Sequence, residues 1–147
     1  MLLDREETAR LRATMFPEGR LSPQVVAQPA AAIAALAGLV RPEVAGAKFL
    51  IVETEGVGPA HPFSGEKLSP VLALCRAADF AAAAKRVAAI YGYQGAGHSV
   101  GLHTTRPERA TDLGLTLPVS RVIVNQVHCF ATGGSYDNAL PFSLSMG

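Results

Sequence analysis

The stretch "DFAAAAKRVAAIYGYQGAGHSVGLHT", residues 79–104, contains the clearest helix of the chain, a glycine-rich turn and a strand. Asp79 is a suitable N-cap, and Gly92 is a suitable stop for the helix. The apolar face of this helix consists of Phe80, Ala84, Val87 and either Ile90 or Tyr91. The glycines that follow predict a sharp αβ turn, after which "HSVGLHT" predicts a strand.

Short apolar runs on both sides of this stretch predict further buried strands. They are "KFLIVETEGVG" and "SPVLALCRA" before it, and "SRVIVNQVH" after it, preceded by a polar helix in "RPERATDLG". Alternation of strands with helices is typical of a parallel sheet with crossover connections. The sequence therefore predicts an α/β fold with a mainly parallel sheet flanked by helices.

Two helices are predicted near the amino terminus. The first lies in "DREETARLRATMF", capped by Asp4, with Leu11 and Met15 on one face. The second covers residues 21–39, where Pro29 either kinks the helix or marks its first turn. The tail, residues 129–147, has no period and many turn formers, so we expect a loop there.

Composition excludes several classes of protein. The 147 residues are 49% hydrophobic and 17% charged, with a formal net charge of +1, which favours one globular domain without affinity for nucleic acid or membrane. No signal peptide or transmembrane segment is predicted. The two cysteines form no C-x-x-C pair, so we expect a cytoplasmic protein.

The glycine-rich turn does not fit a phosphate-binding loop. A dinucleotide fingerprint follows a strand and opens a helix, whereas these glycines follow a helix and lead into a strand. A helix cap with a tight turn explains Gly92 and Gly95. The role of His98 stays open: it is either a general base at the mouth of a strand or a structural histidine.

Other reactive residues give weaker signals. The four histidines and Cys129 show no metal-ligand spacing, so we expect no metal site. Cys75 is interpreted as a small buried residue within a strand, and a His128–Cys129 nucleophilic pair is disfavoured because neighbours in a strand point to opposite faces. Glu66 and Asn125 are ambiguous between a binding role and an ordinary loop or strand-end position.

Three segments carry a resemblance to a known family. They are "HPFSGEKLSPVLALCRAADFAAAAKRVAAIYGYQGAGHSVGLHT", then "PVSRVIVNQ", and finally "GGSYDNALPFSLSMG". Together they resemble the CoA-acylating aldehyde dehydrogenases. Within that family, the sequence of the tail is most similar to the acylating sulfoacetaldehyde dehydrogenases. The resemblance extends over essentially the whole chain.

The resemblance implies NAD or NADP and CoA as cofactors, and a cysteine that attacks the aldehyde before the acyl group passes to CoA. It also implies that the nucleophile motif and the nucleotide-binding loop lie upstream of the matched region. We therefore expect residues 1–147 to form part of a three-layer aldehyde dehydrogenase catalytic domain, with neither Cys75 nor Cys129 as the nucleophile.

Two site residues follow from the resemblance. Glu66 matches the glutamate of the family's E-x-[FL]-[GS]-P-V element, which implies contact with the nicotinamide ribose hydroxyls; Leu68 stands where non-acylating relatives usually have phenylalanine. His98 matches the histidine of the G-x-G-H-[ST] motif, which implies a role in acyl transfer to CoA. Arg121 is a candidate for binding a sulfonate group by its charge only, and a structural role within its apolar strand is at least as compatible with the sequence.

Several alternatives stay open. We expect no aldehyde turnover by the chain alone, and an exposed apolar sheet edge that favours a homo-oligomer or association with a missing upstream half. The second hypothesis is a non-catalytic binding or assembly module that retains the fold. The third is a small metal-dependent hydrolase, which would need clustered ligands.

Overall fold

The computed structural model describes residues 1–133, which fold into α-helices and parallel β-strands. The helices are α1 (Arg5–Met15), α2 (Ala30–Leu36), α3 (Pro42–Ala45), α4 (Phe80–Tyr93), α5 (Glu108–Thr116) and α6 (His128–Gly133), and short 3-10 turns lie at Pro17–Gly19, Pro23–Val25 and Pro62–Ser64. The strands are β1 (Leu50–Glu53), β2 (Val71–Leu74), β3 (Ser99–Leu102) and β4 (Arg121–Val124). The predicted α/β class is confirmed.

Among residues 1–133 the strands pair in parallel, as predicted, and form two ladders. β1 pairs with β2, with Leu50 opposite Val71, and β3 pairs with β4, with Ser99 opposite Arg121. The sequence predicted a single sheet. The division follows two compact units, residues 1–94 and the region from residue 95 onward, each of which contains one ladder.

The first unit has its core between the amino-terminal helices and the β1–β2 ladder. The predicted face of α1 is confirmed, because Leu11 and Met15 are completely buried. The rings of Phe16 and Phe63 pack edge to face, with centroids 5.2 Å apart. Other buried core residues include Val25, Ile33, Val44, Leu50, Val52 and Val71.

The start of α1 is fixed by its predicted cap. Asp4 Oδ1 accepts a hydrogen bond of 2.8 Å from the Glu7 backbone N–H, and Glu7 Oε2 accepts one of 3.0 Å from the Asp4 N–H. This reciprocal pair is a capping box. Glu7 also binds Arg41 at 2.8 Å, which ties the first turn of α1 to the start of α3.

The second predicted helix is shorter than expected. Only Ala30–Leu36 is helical, and the preceding Pro23–Val25 forms a 3-10 turn. Pro29 occupies the N-cap of α2, so its role at the start of the helix is confirmed and the kink is wrong. Proline lacks the N–H that a helix interior requires, which explains why α2 begins after it.

Helix α4 is confirmed, although the prediction that Gly92 ends it is wrong. The helix continues through Gly92 to Tyr93, and Gln94 is its C-cap. Asp79 accepts a hydrogen bond of 2.8 Å from the Ala82 N–H, as expected of the N-cap. Every residue of the predicted apolar face of α4 is partly buried, and none is fully buried.

The second unit contains β3, α5, β4 and α6. Val100, Leu113, Leu117 and Ile123 are buried in its core. The tail was predicted as a loop from residue 129, and this is wrong for its first part, because α6 covers His128–Gly133. The remaining residues of the predicted loop, 134–147, lie outside the described part of the chain.

Two apolar side chains of β2 stay exposed. Leu72 is 49% exposed and Leu74 is 37% exposed, whereas their neighbour Val71 points into the core. Alternation of burial along the strand places both leucines on the same face of the ladder. Within residues 1–133, no helix has the length and apolar character needed to cross a membrane.

Candidate functional site

Glu66 lies in the loop between β1 and β2, two residues after the 3-10 turn at Pro62–Ser64. Glu66 is exposed to solvent, and its backbone N–H donates a hydrogen bond of 2.8 Å to Oε1 of Gln94. Gln94 follows the last residue of α4. The end of that helix therefore holds the backbone that presents Glu66 to solvent.

The residues before Glu66 are held by side-chain hydrogen bonds. The buried hydroxyl of Ser64 donates to the His61 carbonyl at 2.7 Å and accepts from the Gly58 N–H at 3.0 Å. The Lys67 ammonium donates to the carbonyls of Phe63, at 2.8 Å, and Gly65, at 2.7 Å. Burial lowers the pKa of Lys67, partly offset by Cys75 and Glu66 nearby.

Leu68 has an unusual backbone conformation. Its φ is +45°, in the left-handed region that a branched side chain rarely adopts, and its carbonyl accepts a hydrogen bond of 2.8 Å from the Ala27 N–H. The hydroxyl of the next residue, Ser69, is buried, and its Oγ has no hydrogen-bond partner among the described residues. Strain of this kind is often found at functional sites.

His98 lies where the turn after α4 meets β3. The Gly95 carbonyl accepts a hydrogen bond of 3.2 Å from the His98 N–H, and Gly97 has φ +91°. A positive φ at the third position of such a turn is the signature of type II geometry, which glycine adopts without strain. The Gly97 N–H donates to the Pro118 carbonyl at 2.7 Å. The predicted helix, turn and strand order is confirmed, and the imidazole of His98 is exposed.

His128 forms a contact that the sequence did not predict. Its Nε2 lies 2.6 Å from Oγ of Ser99, the residue after His98. The argument against a His128–Cys129 pair assumed a strand, which is wrong because both residues lie in α6. The structure instead places the His128 imidazole against the first residue of β3 and close to Gly101, where a Cβ atom would lie 3.1 Å from Nδ1.

Asn125 stabilises the end of the second ladder. Its Oδ1 accepts from the Thr104 N–H at 2.8 Å, and its Nδ2 donates to the Thr104 carbonyl at 2.8 Å. The backbone of Asn125 has φ +53°, which asparagine tolerates better than most residues. These contacts give Asn125 a structural role at the ends of β3 and β4.

The structure also gives the positions of the two cysteines and of Arg121. Cys75 follows the last residue of β2 and is partly buried, so the expectation of a buried position within the strand is wrong. Cys129 is exposed on α6. Arg121 is partly buried at the start of β4. No group of three histidine, cysteine or acidic residues in the described region is arranged to hold a metal ion.

Comparison with known proteins shows which enzymes the chain is similar to. The chain is 58% identical over 147 residues to acylating sulfoacetaldehyde dehydrogenase from Cupriavidus necator, a match that covers 100% of this chain and 30% of the relative. The chain matches a segment of the acylating aldehyde dehydrogenases. The predicted resemblance, including its sulfoacetaldehyde dehydrogenase subgroup, is therefore confirmed.

Two further comparisons agree. The acetylating succinate-semialdehyde dehydrogenase of Clostridium kluyveri is 33% identical over 144 residues, covering 98% of this chain and 31% of that protein. The crystal structure of an acetylating aldehyde dehydrogenase from Geobacillus thermoglucosidasius superposes with a TM-score of 0.80 and 29% identity, covering 88% of this chain and 28% of that one. The chain thus spans under a third of these acylating dehydrogenases. No protein-family model matches it.

Glu66 and His98 remain predictions from the resemblance, and the sequence analysis missed most of the contacts that hold the loop of Glu66. Gln94, Lys67 and Ser64 act on the Glu66 loop through hydrogen bonds that span from 2 to 28 positions of the chain. Glu66 and His98 fall in different compact units of the chain. The sequence offered one signal for these contacts, which is the glycine at position 65, directly before Glu66.

Proposed function

We propose that the chain is part of an NAD(P)-dependent, CoA-acylating aldehyde dehydrogenase, in which it supplies Glu66 to bind the cofactor and His98 to assist acyl transfer. The observation that carries this proposal is the 58% identity, over the whole chain, with an acylating sulfoacetaldehyde dehydrogenase. The same identity favours sulfoacetaldehyde as the aldehyde. A cytoplasmic location is proposed with it, because two cysteines without a pairing motif suit a reducing compartment.

Glu66 fits the sugar part of a nicotinamide cofactor. A carboxylate accepts hydrogen bonds from two neighbouring hydroxyls, and that of Glu66 is exposed on a backbone fixed by Gln94. When bound, NAD or NADP accepts the hydride from the substrate carbon. The role of Glu66 is to hold the ribose so that the nicotinamide lies in a constant position.

His98 fits the second half of the reaction. In the proposed step, a neutral imidazole nitrogen accepts the proton of the CoA thiol, and the resulting thiolate attacks the acyl carbon. The bond from that carbon to the enzyme's cysteine sulfur then breaks. The exposed ring of His98, on a turn anchored at Gly97 and His98 by backbone hydrogen bonds, suits a base that meets a large incoming substrate.

A chimeric enzyme tests this proposal. The matching segment of the Cupriavidus necator relative would be replaced by the 147 residues of this chain, and CoA-dependent NAD(P)H formation from sulfoacetaldehyde measured. We expect activity in the chimera. His98→Ala should retain a single burst of NAD(P)H but slow acyl transfer by about 100-fold or more, as expected for loss of a general base. Glu66→Gln should instead raise KM for the cofactor.

His103→Ala is a matched control, because His103 is a second exposed histidine just after β3. Its acyl transfer should equal that of the unmodified chimera. Unchanged acyl transfer in His98→Ala would remove His98 from the mechanism, and an inactive, correctly folded chimera would contradict the proposed function as a whole.

The alternative is a non-catalytic binding or assembly module. The exposed Leu72 and Leu74 favour it, since apolar side chains on a sheet face suit an interface. We propose two assemblies for this interface. In one the chain forms a homo-oligomer, and in the other it binds the remaining part of a dehydrogenase. The coding sequence directly upstream discriminates between the hypotheses: an in-frame cysteine motif and nucleotide-binding glycines support the dehydrogenase, and an unrelated gene supports the module.

A further inference from the structure

We infer that Gln94 is a positioning residue for Glu66, and that Gly65 lacks a side chain to make room for it. This inference rests on the proposed role of Glu66 in binding the cofactor. Gln94 Oε1 accepts the backbone N–H of Glu66 at 2.8 Å, across 28 positions of the chain. The contact joins the carboxyl end of α4 to the loop before β2.

Position 65 needs a glycine because little space is left for a side chain, and not because of its backbone conformation. Its φ is −90° and its ψ is −179°, an extended conformation that any residue adopts. A Cβ atom at this position, however, would lie 2.5 Å from Gln94 Oε1 and 3.1 Å from Gln94 Cδ. It would also lie 3.1 Å from Cε1 of Tyr93. Any larger residue must therefore displace the amide that holds Glu66.

The neighbours of Glu66 are already restrained on both sides. Ser64 is fixed by bonds to the His61 carbonyl and the Gly58 N–H, and Lys67 is fixed by bonds to two carbonyls of the same loop. The bond from Gln94 fixes the Glu66 N–H itself. A carboxylate whose backbone is held before the ligand arrives loses less conformational freedom on binding, which strengthens binding without new contacts to the ligand.

The position of Gln94 gives the contact a further consequence. Gln94 is the C-cap of α4, and its own N–H donates to the Ile90 carbonyl at 2.8 Å. Its backbone is thus part of a regular helix end, and only its side chain has to be ordered to reach Glu66. The amide acts on Glu66 through the backbone and does not need to touch the cofactor.

Hydrogen exchange measured on the 147-residue chain tests the contact itself. Gln94→Leu keeps a similar volume but removes the acceptor, so the Glu66 amide should exchange about 2- to 10-fold faster, as for the loss of one ordinary hydrogen bond. Gln94→Glu keeps an acceptor oxygen and should retain protection. Gln28→Leu, at another exposed glutamine of the same unit, is the matched control and should leave the Glu66 amide unchanged.

Kinetics in the chimeric enzyme test the positioning role. Gln94→Leu should raise KM for NAD(P) by about 2- to 10-fold with kcat changed less than twofold, and Gln94→Glu should restore KM. Gly65→Ala should raise KM similarly in the unmodified background. Its effect should be much smaller in the Gln94→Ala background, because the displaced amide is then absent.

The outcomes separate this inference from the proposed function. If Glu66→Gln raises KM for the cofactor but Gln94→Leu does not, the positioning role is wrong and the role of Glu66 stands. Unchanged exchange of the Glu66 amide in Gln94→Leu also overturns the positioning role. If Glu66→Gln leaves KM unchanged, the cofactor role of Glu66 fails, and the inference about Gln94 fails with it.

Discussion

Asn125 and Thr104 are joined by two hydrogen bonds between the side-chain amide of the first and the backbone of the second, each 2.8 Å long. The pair lies just beyond the ends of β3 and β4, and Asn125 also donates its N–H to the Leu102 carbonyl at 2.9 Å. The amide therefore continues the ladder past the last paired residues and fixes the loop that leads into α5.

Replacement of Asn125 should destabilise the second unit. Asn125→Ala removes both side-chain hydrogen bonds and places alanine at a positive φ, so the free energy of unfolding should fall by about 1–3 kcal/mol. Asn125→Gly also removes both hydrogen bonds, but glycine adopts a positive φ without strain. Its free energy of unfolding should therefore fall less than that of Asn125→Ala. Urea unfolding measures the change, and hydrogen exchange at the Thr104 N–H locates it. Gln126→Ala, at the exposed neighbour, should change neither quantity.

Leu68 stores backbone strain that glycine should release. Its φ is +45° and its side chain is 57% exposed, so Leu68→Gly loses little buried surface. A left-handed conformation costs a residue with a side chain about 1–2 kcal/mol, and the greater freedom of glycine in the unfolded chain offsets part of that gain. We expect a net stabilisation of about 0.5–1 kcal/mol.

Leu72→Gly is the matched control for this prediction. Leu72 is 49% exposed, similar to Leu68, but lies within β2, where glycine weakens a strand. Its replacement should lower the free energy of unfolding. Equal destabilisation by both substitutions in thermal or urea unfolding would show that Leu68 carries no strain.

Lys67 should make stability depend on alkaline pH. Burial lowers the pKa of Lys67 in the folded chain below its usual value of 10.5. Between the lowered and the usual pKa, the unfolded chain binds more protons than the folded chain, so the contribution of Lys67 to stability rises with pH. Below the lowered pKa, the ammonium is charged in both states and its burial opposes folding.

The difference in free energy of unfolding between the unmodified chain and Lys67→Met isolates this contribution. It should shift in favour of the unmodified chain as the pH rises through the window below 10.5. Lys85→Met, at an exposed lysine of α4, is the matched control substitution. A flat difference for Lys67→Met would contradict the prediction.

Ser99 and His128 should be energetically coupled. The 2.6 Å contact between Ser99 Oγ and His128 Nε2 joins the start of β3 to α6. Ser99→Ala and His128→Ala, made singly and together, should give a coupling energy of about 0.5–1.5 kcal/mol in urea unfolding. The same cycle with His103→Ala in place of His128→Ala should be additive. Additive effects for both pairs would mean that the contact does not stabilise the folded chain.

Elements with strong local signals could be predicted from the sequence. Asp4 and Asp79 cap their helices as expected, because a short acidic side chain reaches the free N–H groups of a first helical turn. The parallel pairing of the strands also followed from their alternation with helices or long connections. The end of α4 was misplaced at Gly92, because a single glycine costs a helix only about 1 kcal/mol and tertiary packing can outweigh it.

Contacts between distant residues could not be predicted in the same way. The sequence shows Gly65, Glu66 and Gln94, but not that the amide of Gln94 occupies the space beside Gly65. Nor does it show that His128 contacts Ser99 while Cys129, its neighbour in the chain, lies exposed. Such contacts depend on where whole elements pack, and local spacing carries no information about that.

The sequence by itself determined the α/β class, the capped helices, the sharp turn before His98 and the resemblance that singled out Glu66 and His98. Local backbone preferences and side-chain periodicity act over a few residues, and these features are of that length. Only the tertiary structure decided that the strands pair in two ladders, that Leu68 is held in a left-handed conformation, and that Gln94 fixes Glu66. Each of those depends on hydrogen bonds and packing between segments far apart in the chain.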